Sequence, residues 1–261
     1  MTTTTAHAPG TFCWIELATT DQAAATSFYA SLFGWSWRDD PMPQGGTYTM
    51  CQSGGRDVAA IHTLPKEQAA QGLPAHWFPY VAVASADEAV ARAGSLGGTA
   101  MGEAFDVMDF GRMAVLRDPT GAVLGVWQAK RFPGVGVRDE PNAMCWNEVL
   151  SPDRATAAAF YAALIGWDTS PMPMPTGEYT VFMSGEVGKA GCMQITPEMG
   201  PLPPHWATYF AVADCDATTA RAKALGATVL HGPEDAPGIG RWAALQDPQG
   251  AAFSIIAMAA A

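Results

Sequence analysis

The sequence predicts an α+β protein made of a tandem repeat of two similar domains, each containing a pair of βαβββ modules. Three observations lead to this fold class. Residues 12–35 recur as residues 144–167, with half of the aligned positions identical. A strand, a helix and several strands follow one another twice in each half. The turn sequence Asp-Pro-x-Gly at residues 118–121 returns at residues 247–250. A repeat of this length indicates that each copy is one foldable unit.

The first strand and helix of each half are predicted from residue type and spacing. Residues 12–18 form a short run rich in aromatic and branched side chains, which is typical of a strand. Asp21 stands where a helix N-cap belongs, apolar residues follow at helical spacing, and Gly34 stands where the helix ends. The second half repeats these roles at Asp153, Phe160, Tyr161, Leu164 and Gly166.

The remaining elements of the first half follow from alternation and turn residues. Strands are predicted at residues 36–38, 47–52, 58–63, 77–84, 101–106, 112–116 and 123–128, and a second helix at residues 86–96. Residues 131–141 carry proline, glycine and charged residues and are predicted to be a linker. The predicted domains are therefore residues 8–130 and residues 142–258.

Composition limits the class of function. The chain has 261 residues, enough for two domains with cores of their own, and a net charge of −11. This charge, without any run of Lys or Arg, argues against nucleic acid as a partner. The sequence has neither a long apolar stretch for a membrane span nor the pattern of a signal peptide. Five cysteines without metal-binding spacing indicate buried, reduced thiols in a cytoplasmic protein.

These motifs resemble those of the vicinal oxygen chelate superfamily, which holds glyoxalase I, bleomycin-resistance and fosfomycin-resistance proteins and extradiol dioxygenases. The resemblance rests on the Asp-capped helix with Phe-Tyr and a terminal Gly, and on the closing strand after Asp-Pro-x-Gly. Residues 111–128, GRMAVLRDPTGAVLGVWQ, resemble the tandem two-domain glyoxalase-like proteins of the actinobacterial hydroxylase type. The resemblance implies that each pair of modules curls a mixed sheet around a concave cavity, with the helices outside.

The resemblance also implies a divalent metal held by His and Glu on inward strand positions. Those positions fall on residues that are poor ligands here: Trp14 and Trp146, Phe78 and Ala207, Gly125 and Ser254, and the region of Ile61 and Met193. Indole has no lone pair to give, and glycine and alanine have no donor atom. We therefore predict no bound metal and no cofactor.

Two carboxylates are candidates for chemistry at the same strands. Because strand residues two apart share a face, Trp14 and Glu16 lie together, and Trp146 and Glu148 repeat the pair. If the family position points into the cavity, Glu16 and Glu148 point there too, and both tryptophans contribute to a ligand-binding wall. Such a carboxylate suits general acid–base catalysis or a cationic partner. The alternative is a structural bond to a neighbouring backbone group or arginine.

Aromatic and basic residues at repeated positions complete the predicted ligand site. Tyr48, Tyr179, Tyr80 and Tyr209 offer rings and hydroxyl donors, with core packing as the alternative. Arg112 and Arg241 can grip a carboxylate or phosphate with two hydrogen bonds, or can pair with Asp106, Asp109 or Asp235.

Histidines give weaker signals. His62 is a candidate ligand contact beside the Ile61 position, and its repeat partner is taken to be Gln194; a surface or packed role is the alternative. His76 and His205, each followed by tryptophan, are expected at a hydrogen-bonded strand entrance.

The predicted function is the handling of a small organic molecule. As an enzyme, the chain would be a lyase or oxygenase acting on an aldehyde-type metabolite, as the resemblance implies. The alternative is a metal-free binding or sequestering protein of the bleomycin-resistance type, and the sequence leaves enzyme status open. Four modules in one chain can supply what single-domain relatives obtain by dimerising, so a monomer is favoured and a dimer is the alternative.

Overall fold

The computed structural model describes residues 6–43, 45–174 and 177–259, which form four successive modules. Module 1 consists of β1 Phe12–Thr19, α1 Gln22–Phe33, β2 Ser36–Pro41, β3 Thr47–Ser53, β4 Arg56–Thr63 and the short helix α2 Lys66–Ala70. Module 2 consists of β5 His76–Ala82, α3 Ala86–Ser95, β6 Thr99–Ala100, β7 Phe105–Val107, β8 Gly111–Arg117 and β9 Val123–Ala129.

The second half repeats this order. Module 3 consists of β10 Met144–Ser151, α4 Arg154–Ile165, β11 Asp168–Met174, β12 Gly177–Ser184, β13 Val187–Gln194 and a 3₁₀ turn at Pro197–Met199. Module 4 consists of β14 His205–Ala211, α5 Cys215–Ala224, β15 Thr228–Ala236, β16 Gly240–Gln246 and β17 Ala252–Met258.

The predicted first helix of each half is confirmed together with its end signals. The carboxylate of Asp21 accepts from the backbone N–H of Ala24, and Gly34 ends α1 in the left-handed conformation. Asp153 and Gly166 do the same for α4. The structure differs from the prediction of one strand at residues 101–106: β6 lies just before this range, and β7 begins at Phe105. Helix α2 was not predicted, because it buries no residue and so leaves no apolar spacing in the sequence.

The strands of each half belong to one mixed sheet. Within the described residues, the first sheet has the order β2-β3-β4-β1-β5-β9-β8-β6, with β7 paired to β8. The second has the order β11-β12-β13-β10-β14-β17-β16-β15. Strand β1 runs parallel to β4 and β5 parallel to β9, whereas the hairpin strands are antiparallel. The predicted α+β fold class is confirmed: each half of the chain forms one curled mixed sheet with few helices, which lie outside.

The modules pack into two compact units that each draw on both halves of the chain. Unit 1 contains residues up to Trp14, Pro79–Gly134 and Trp146–Ala207, and therefore most of modules 2 and 3. Unit 2 contains Ile15–Phe78, Val135–Cys145 and the residues from Thr208 onward, and therefore most of modules 1 and 4. The domain boundaries predicted from the repeat describe its two copies, and they remain a prediction.

A buried hydrogen-bonded relay lies in the core of unit 2. The indole N–H of Trp77 donates to the hydroxyl of Tyr29 at 2.9 Å. The Tyr29 hydroxyl donates to Oδ2 of Asp247, also at 2.9 Å. Burial, and next the negative charge of Asp247, raise the pKa of Tyr29 well above its usual value. Phe33, Phe210 and Phe253 pack around these rings.

Unit 1 brings together the repeat-related residues Trp206, Tyr161 and Asp118. Trp206 Nε1 donates to the hydroxyl of Tyr161 at 2.9 Å. Burial and the charge of Asp118 raise the pKa of Tyr161 well above its usual value. Oδ1 of Asp118 also accepts from the backbone N–H groups of its own turn, which fixes the carboxylate. The His-Trp, Phe-Tyr and Asp-Pro-x-Gly motifs therefore meet in each unit, with the tyrosine and the aspartate coming from different halves of the chain.

In the described part of the chain, the helices are all too short or too polar to cross a bilayer.

Candidate functional site

A carboxylate, a phenol and an imidazole come together on one face of module 1. Strand register places Glu16 opposite Ala60 and Tyr48 opposite His62, so all three side chains lie on the same side of adjacent strands. The Tyr48 hydroxyl donates to Oε2 of Glu16 at 2.7 Å. Nε2 of His62 lies 3.8 Å from Oε1 of Glu16. The rings of Tyr48 and His62 are stacked, with centroids 6.0 Å apart and planes at 21°.

The geometry of His62 fixes its tautomer. Nδ1 lies 3.1 Å from the backbone carbonyl oxygen of Thr63, which can only accept, so Nδ1 carries a hydrogen. Nε2 is consequently the nitrogen that lies on the Glu16 side. The side chains of Glu16 and His62 are each 17% exposed, so an edge of each is open to solvent. We call Glu16, Tyr48 and His62 the Glu16 cluster.

The equivalent cluster in module 3 is more enclosed. Tyr179 donates from its hydroxyl to Oε2 of Glu148 at 2.7 Å, and Trp146 Nε1 donates to the same hydroxyl at 2.9 Å. Glu148 is 5% exposed. Strand register places Met193, and not Gln194, opposite Tyr179, so the repeat partner assigned to His62 from the sequence was wrong. A thioether therefore stands where the first half has an imidazole.

The two equivalent tryptophans have different packing partners. Trp14 packs edge to face on Phe132, with ring centroids 4.8 Å apart. Trp146 instead reaches Tyr179 and lies against Gly188, where a Cβ atom would come within 3.3 Å of the indole. The repeat equivalent of Gly188 in the first half is Asp57. Asp57 lies opposite Gln52, just as Gly188 lies opposite Met183, on the neighbouring strand. Because glycine provides the room for the indole, module 3 covers its carboxylate–tyrosine pair with a ring.

The first residues of the predicted linker make specific contacts in unit 1. The backbone N–H of Phe132 donates to Phe110 at 3.0 Å, and Trp127 Nε1 donates to the carbonyl of Phe132 at 2.9 Å. Gly134 has φ +116°, and a Cβ there would lie 2.0 Å from the carbonyl oxygen of Cys13. Only glycine can occupy that position without displacing the backbone. Phe132 is thereby fixed on Trp14.

The other predicted aromatic residues lie on the strands of modules 2 and 4. Tyr80 lies opposite Gly125 and covers it, since a Cβ at residue 125 would be 2.3 Å from the tyrosine ring. Tyr209 packs on Trp242, with ring centroids 6.1 Å apart. Both tyrosines are buried. Their contacts agree with the packing alternative, while a role in ligand binding stays a prediction.

The two predicted arginines pair with aspartates that begin the outer helices. Arg112 makes two hydrogen bonds of 2.8 Å to Asp87, and Arg241 makes bonds of 2.7 and 3.0 Å to Asp216. The neighbouring arginine lowers the pKa of each of these aspartates. Asp106 and Asp235, expected from the sequence as alternative partners, also lie within ion-pair distance of the arginines, whereas Asp109 pairs with Arg131. Both guanidinium groups are thus engaged by carboxylates of the protein itself.

The remaining histidines and the cysteines have structural contacts. Nδ1 of His76 lies 2.9 Å from the carbonyl of Pro74, and Nδ1 of His205 lies 2.8 Å from that of Pro203, at the expected strand entrances. Burial raises the pKa of three thiols to about 12; they belong to Cys51, Cys145 and Cys192. Such thiols are protonated at neutral pH and are poor nucleophiles.

The donor atoms at the family metal positions do not fit a metal. Trp14 is packed on Phe132, and the ring of Tyr80 fills the space beside Gly125. Among the described residues, no group of three or more His, Cys, Asp or Glu side chains is close enough to hold an ion. The Glu16 cluster offers one carboxylate and one imidazole, fewer than the three protein ligands of a typical catalytic zinc site. The absence of a metal remains a prediction from residue types.

Comparison with known proteins identifies the family. A glyoxalase/bleomycin resistance protein/dioxygenase superfamily model matches residues 11–126, and a glyoxalase-like domain model matches residues 144–256. The chain is 45% identical over 95% of its length to CFP32 of Mycobacterium tuberculosis, which is provisionally named a glyoxylase, and covers 94% of that protein. It is 36% identical over 97% of its length to the anthracycline biosynthesis protein DnrV of Streptomyces peucetius, again covering 94% of the relative.

Solved structures show the same fold at low sequence identity. The 2,3-dioxygenase LapB of Pseudomonas has a TM-score of 0.67 at 14% identity, with 96% of this chain and 92% of that chain covered. A Mn(II)-bound glyoxalase of Novosphingobium aromaticivorans also has a TM-score of 0.67, at 13% identity, with 95% and 82% covered. The chain belongs to the glyoxalase/bleomycin resistance protein/dioxygenase superfamily.

Proposed function

We propose that this protein handles a small organic molecule at the Glu16 cluster and acts on it by proton transfer. The observation that carries the proposal is the difference between the two copies of the cluster. Glu16 is partly exposed and has His62 beside it, whereas Glu148 is buried under the Trp146–Tyr179 pair and has Met193 at the equivalent position. The carboxylate of Glu16 is therefore partly open to solvent, whereas that of Glu148 is covered by protein side chains.

The residues of the cluster fit a lyase or isomerase reaction on an aldehyde-type molecule. A carboxylate held by a tyrosine hydroxyl has a fixed orientation and can remove a proton from carbon next to a carbonyl group. Nε2 of His62, 3.8 Å from the carboxylate, can accept that proton or return it at another position. The provisional glyoxylase name of CFP32 supports this reaction class.

A second candidate is metal-free binding of a flat aromatic molecule. It is favoured by residue type, because the family metal positions carry Trp14, Trp146, Gly125 and Ser254, which are poor metal ligands. The anthracycline biosynthesis relatives support a polycyclic aromatic ligand. In this case Glu16 would orient the ligand and would transfer no proton.

One experiment separates the two candidates. Untagged protein of known metal content, measured by elemental analysis, is assayed for turnover of a methylglyoxal–thiol adduct, with and without added metal. We expect metal-independent turnover that Glu16→Gln lowers by about a hundredfold or more, the usual contribution of a positioned acid–base group. Glu148→Gln is the matched control, because it makes the same change in the enclosed copy.

The outcomes are distinct. Equal loss in Glu16→Gln and Glu148→Gln would contradict the assignment to module 1. Absence of turnover, together with stoichiometric binding of an anthracycline that Glu16→Gln weakens, would establish the binding function. Glu16→Gln should leave the melting temperature nearly unchanged, because the side chain is partly exposed; strong destabilisation would show that Glu16 is structural.

A further inference from the structure

A groove lies between helix α4 and the strands β11 and β12, all within unit 1. Its volume is about 330 Å³, at the lower end of the range for small-molecule sites. Its walls are mostly methyl groups and short side chains, which include Ala158, Ala159, Thr169, Pro171 and Thr180. The one charged group among the lining residues is the guanidinium of Arg154, the first residue of α4.

This groove lies on the other face of the sheet from the carboxylate of module 3. Tyr179, which donates to Glu148, and Thr180 are neighbours on β12, so their side chains point to opposite faces. Pro171 lies opposite Thr180 and shares its face, as does Thr169, two residues earlier on β11. The groove is therefore on the helix-covered side, away from the face that carries Glu148 and the family metal position beside it.

The two copies of this region differ in charge. Arg154 stands at the position of Gln22, which is the first residue of α1. Pro171 stands at the position of Asp39, since each lies opposite the equivalent threonine of the next strand. A neutral amide has thus become a guanidinium, and a carboxylate has become an uncharged ring. Both changes make the groove of module 3 more favourable for an anion.

The same comparison shows a loss of bulk and of polar groups around the groove. Smaller or less polar residues stand at three equivalent positions: Thr169 for Trp37, Ala158 for Thr26 and Ala159 for Ser27. In module 1 the hydroxyl of Thr26 donates to the carbonyl of Gln22 at 2.7 Å. Module 3 has a methyl group there, so its helix presents an apolar floor beside the cation.

The guanidinium of Arg154 holds a carboxylate of the protein that is largely in solvent. Nη2 donates to Oε2 of Glu178 at 2.5 Å, and Nη1 donates to the hydroxyl of Thr180. The side chain of Glu178 is 65% exposed, so this ion pair contributes little to stability. A guanidinium has five N–H donors in one plane. Arg154 can therefore keep Thr180 while it exchanges Glu178 for both oxygens of another carboxylate.

We propose that this groove binds a small monocarboxylate with an apolar body. The carboxylate pairs with Arg154 in place of Glu178, and the apolar body lies on the alanine methyl groups of α4. The methyl-lined floor disfavours a compact, strongly hydrated anion such as phosphate, whose other oxygens would lose water without gaining hydrogen bonds. The inference does not depend on the Glu16 cluster, because the residues of that cluster belong to unit 2.

The test is an NMR titration of the full-length protein with benzoate. Benzamide is the control, because it has nearly the same shape and no charge. We expect benzoate to shift the amide resonances of α4, β11 and β12 and to bind about tenfold more tightly than benzamide. Arg154→Gln, which introduces the residue of the first half, should abolish this preference. Arg154→Lys keeps the charge without the planar fork and should retain part of it.

Two further changes test the other parts of the groove. Glu178→Thr, again the residue of the first half, removes the competing carboxylate and should tighten benzoate binding about three- to tenfold without affecting benzamide. Ala159→Leu fills the groove from an exposed helix position and should weaken binding of both probes about tenfold or more. Ser27→Leu is the matched control, because it makes a similar change at the equivalent position of α1, and it should leave binding unchanged.

Several results would overturn the inference. Equal benzoate affinity in the wild type and Arg154→Gln would show that the guanidinium does not bind the probe. Resonance shifts confined to residues outside the groove would place the probe elsewhere. Failure of benzoate to bind both the wild type and Glu178→Thr would also exclude the site. Melting temperatures identify any variant that folds poorly, and in that case the comparison of Ala159→Leu with Ser27→Leu still decides.

Discussion

Trp14 and Trp146 occupy equivalent positions in the repeat, and their different contacts decide which carboxylate is accessible. Trp146 reaches the hydroxyl of Tyr179 because Gly188 leaves room for its ring. Alternation along the strand was enough to predict that each tryptophan shares a face with its glutamate. The direction of the indole depends on a residue of another strand, so local sequence could not give it.

The wrong repeat partner predicted for His62, Gln194 in place of Met193, results from the length of one hairpin. The second half is shorter by one residue in the hairpin before β12, so the repeat offset falls from 132 to 131 there. Tyr48 and Tyr179 already showed this offset in the sequence, and applying it to His62 gives Met193. The hydrogen bonds from the tyrosines to the glutamates had no comparable signal, because they require the strand order.

The role assigned to Gly188 is testable by giving it the residue of the first half. Gly188→Asp should displace the indole of Trp146 and break its bond to Tyr179, since even a Cβ atom would lie 3.3 Å from the ring. We expect a loss of about 1–2 kcal/mol in the free energy of unfolding, the typical cost of a lost buried hydrogen bond. The measurement is urea unfolding, with Trp146→Phe as the reference. An unchanged stability would contradict the packing argument.

Three thiols with raised pKa values give a prediction about reactivity. Burial raises the pKa of Cys51, Cys145 and Cys192 to about 12, so at pH 8 they are almost entirely thiols. We expect these three cysteines to react with Ellman's reagent only when the protein unfolds, and all five to react in denaturant. Fast modification of any of the three in the native protein, located by mass spectrometry, would show that it is accessible.

At the scale of elements, the helix ends could be predicted and the partners of the helices could not. Asp21 and Gly34 act within a few residues of their own positions, so their roles are visible in a short stretch of sequence. The relay from Trp77 through Tyr29 to Asp247 joins residues up to 218 positions apart. The three motifs were recognised from the repeat, but their meeting depends on how modules from different halves pack.

Removing the hydroxyl from the relay should destabilise the protein. Tyr29→Phe leaves the N–H of Trp77 without its acceptor and Oδ2 of Asp247 without the tyrosine donor, in a buried environment. The expected cost is about 1–3 kcal/mol, the penalty for an unsatisfied buried polar group. Urea unfolding of Tyr29→Phe, Asp247→Asn and the double variant measures it. Strict additivity of the two changes would contradict the relay, because residues that share a hydrogen bond are coupled.

At the scale of the molecule, each compact unit contains modules from both halves. A repeat predicts the boundaries of its copies, here residues 8–130 and 142–258, because similarity is a property of sequence. It does not predict which copies share a core, since every module offers the same kinds of helix and strand surface. For this reason the residues that form each compact unit are not the residues of one copy of the repeat. That the four modules form a monomer in solution remains a prediction.

The composition of the units predicts that neither half folds alone. Residues 1–130 would leave Tyr29 without Asp247, and residues 142–261 would leave Tyr161 without Asp118. Each fragment would also expose the apolar surfaces that its modules bury in the units. We expect each fragment alone to give a poorly dispersed NMR spectrum and no cooperative melting. Mixed at equal concentration, the fragments should regain cooperative melting and sediment like the intact chain, which should itself sediment as a monomer. Independent folding of both fragments would show that each copy of the repeat has a sufficient core of its own.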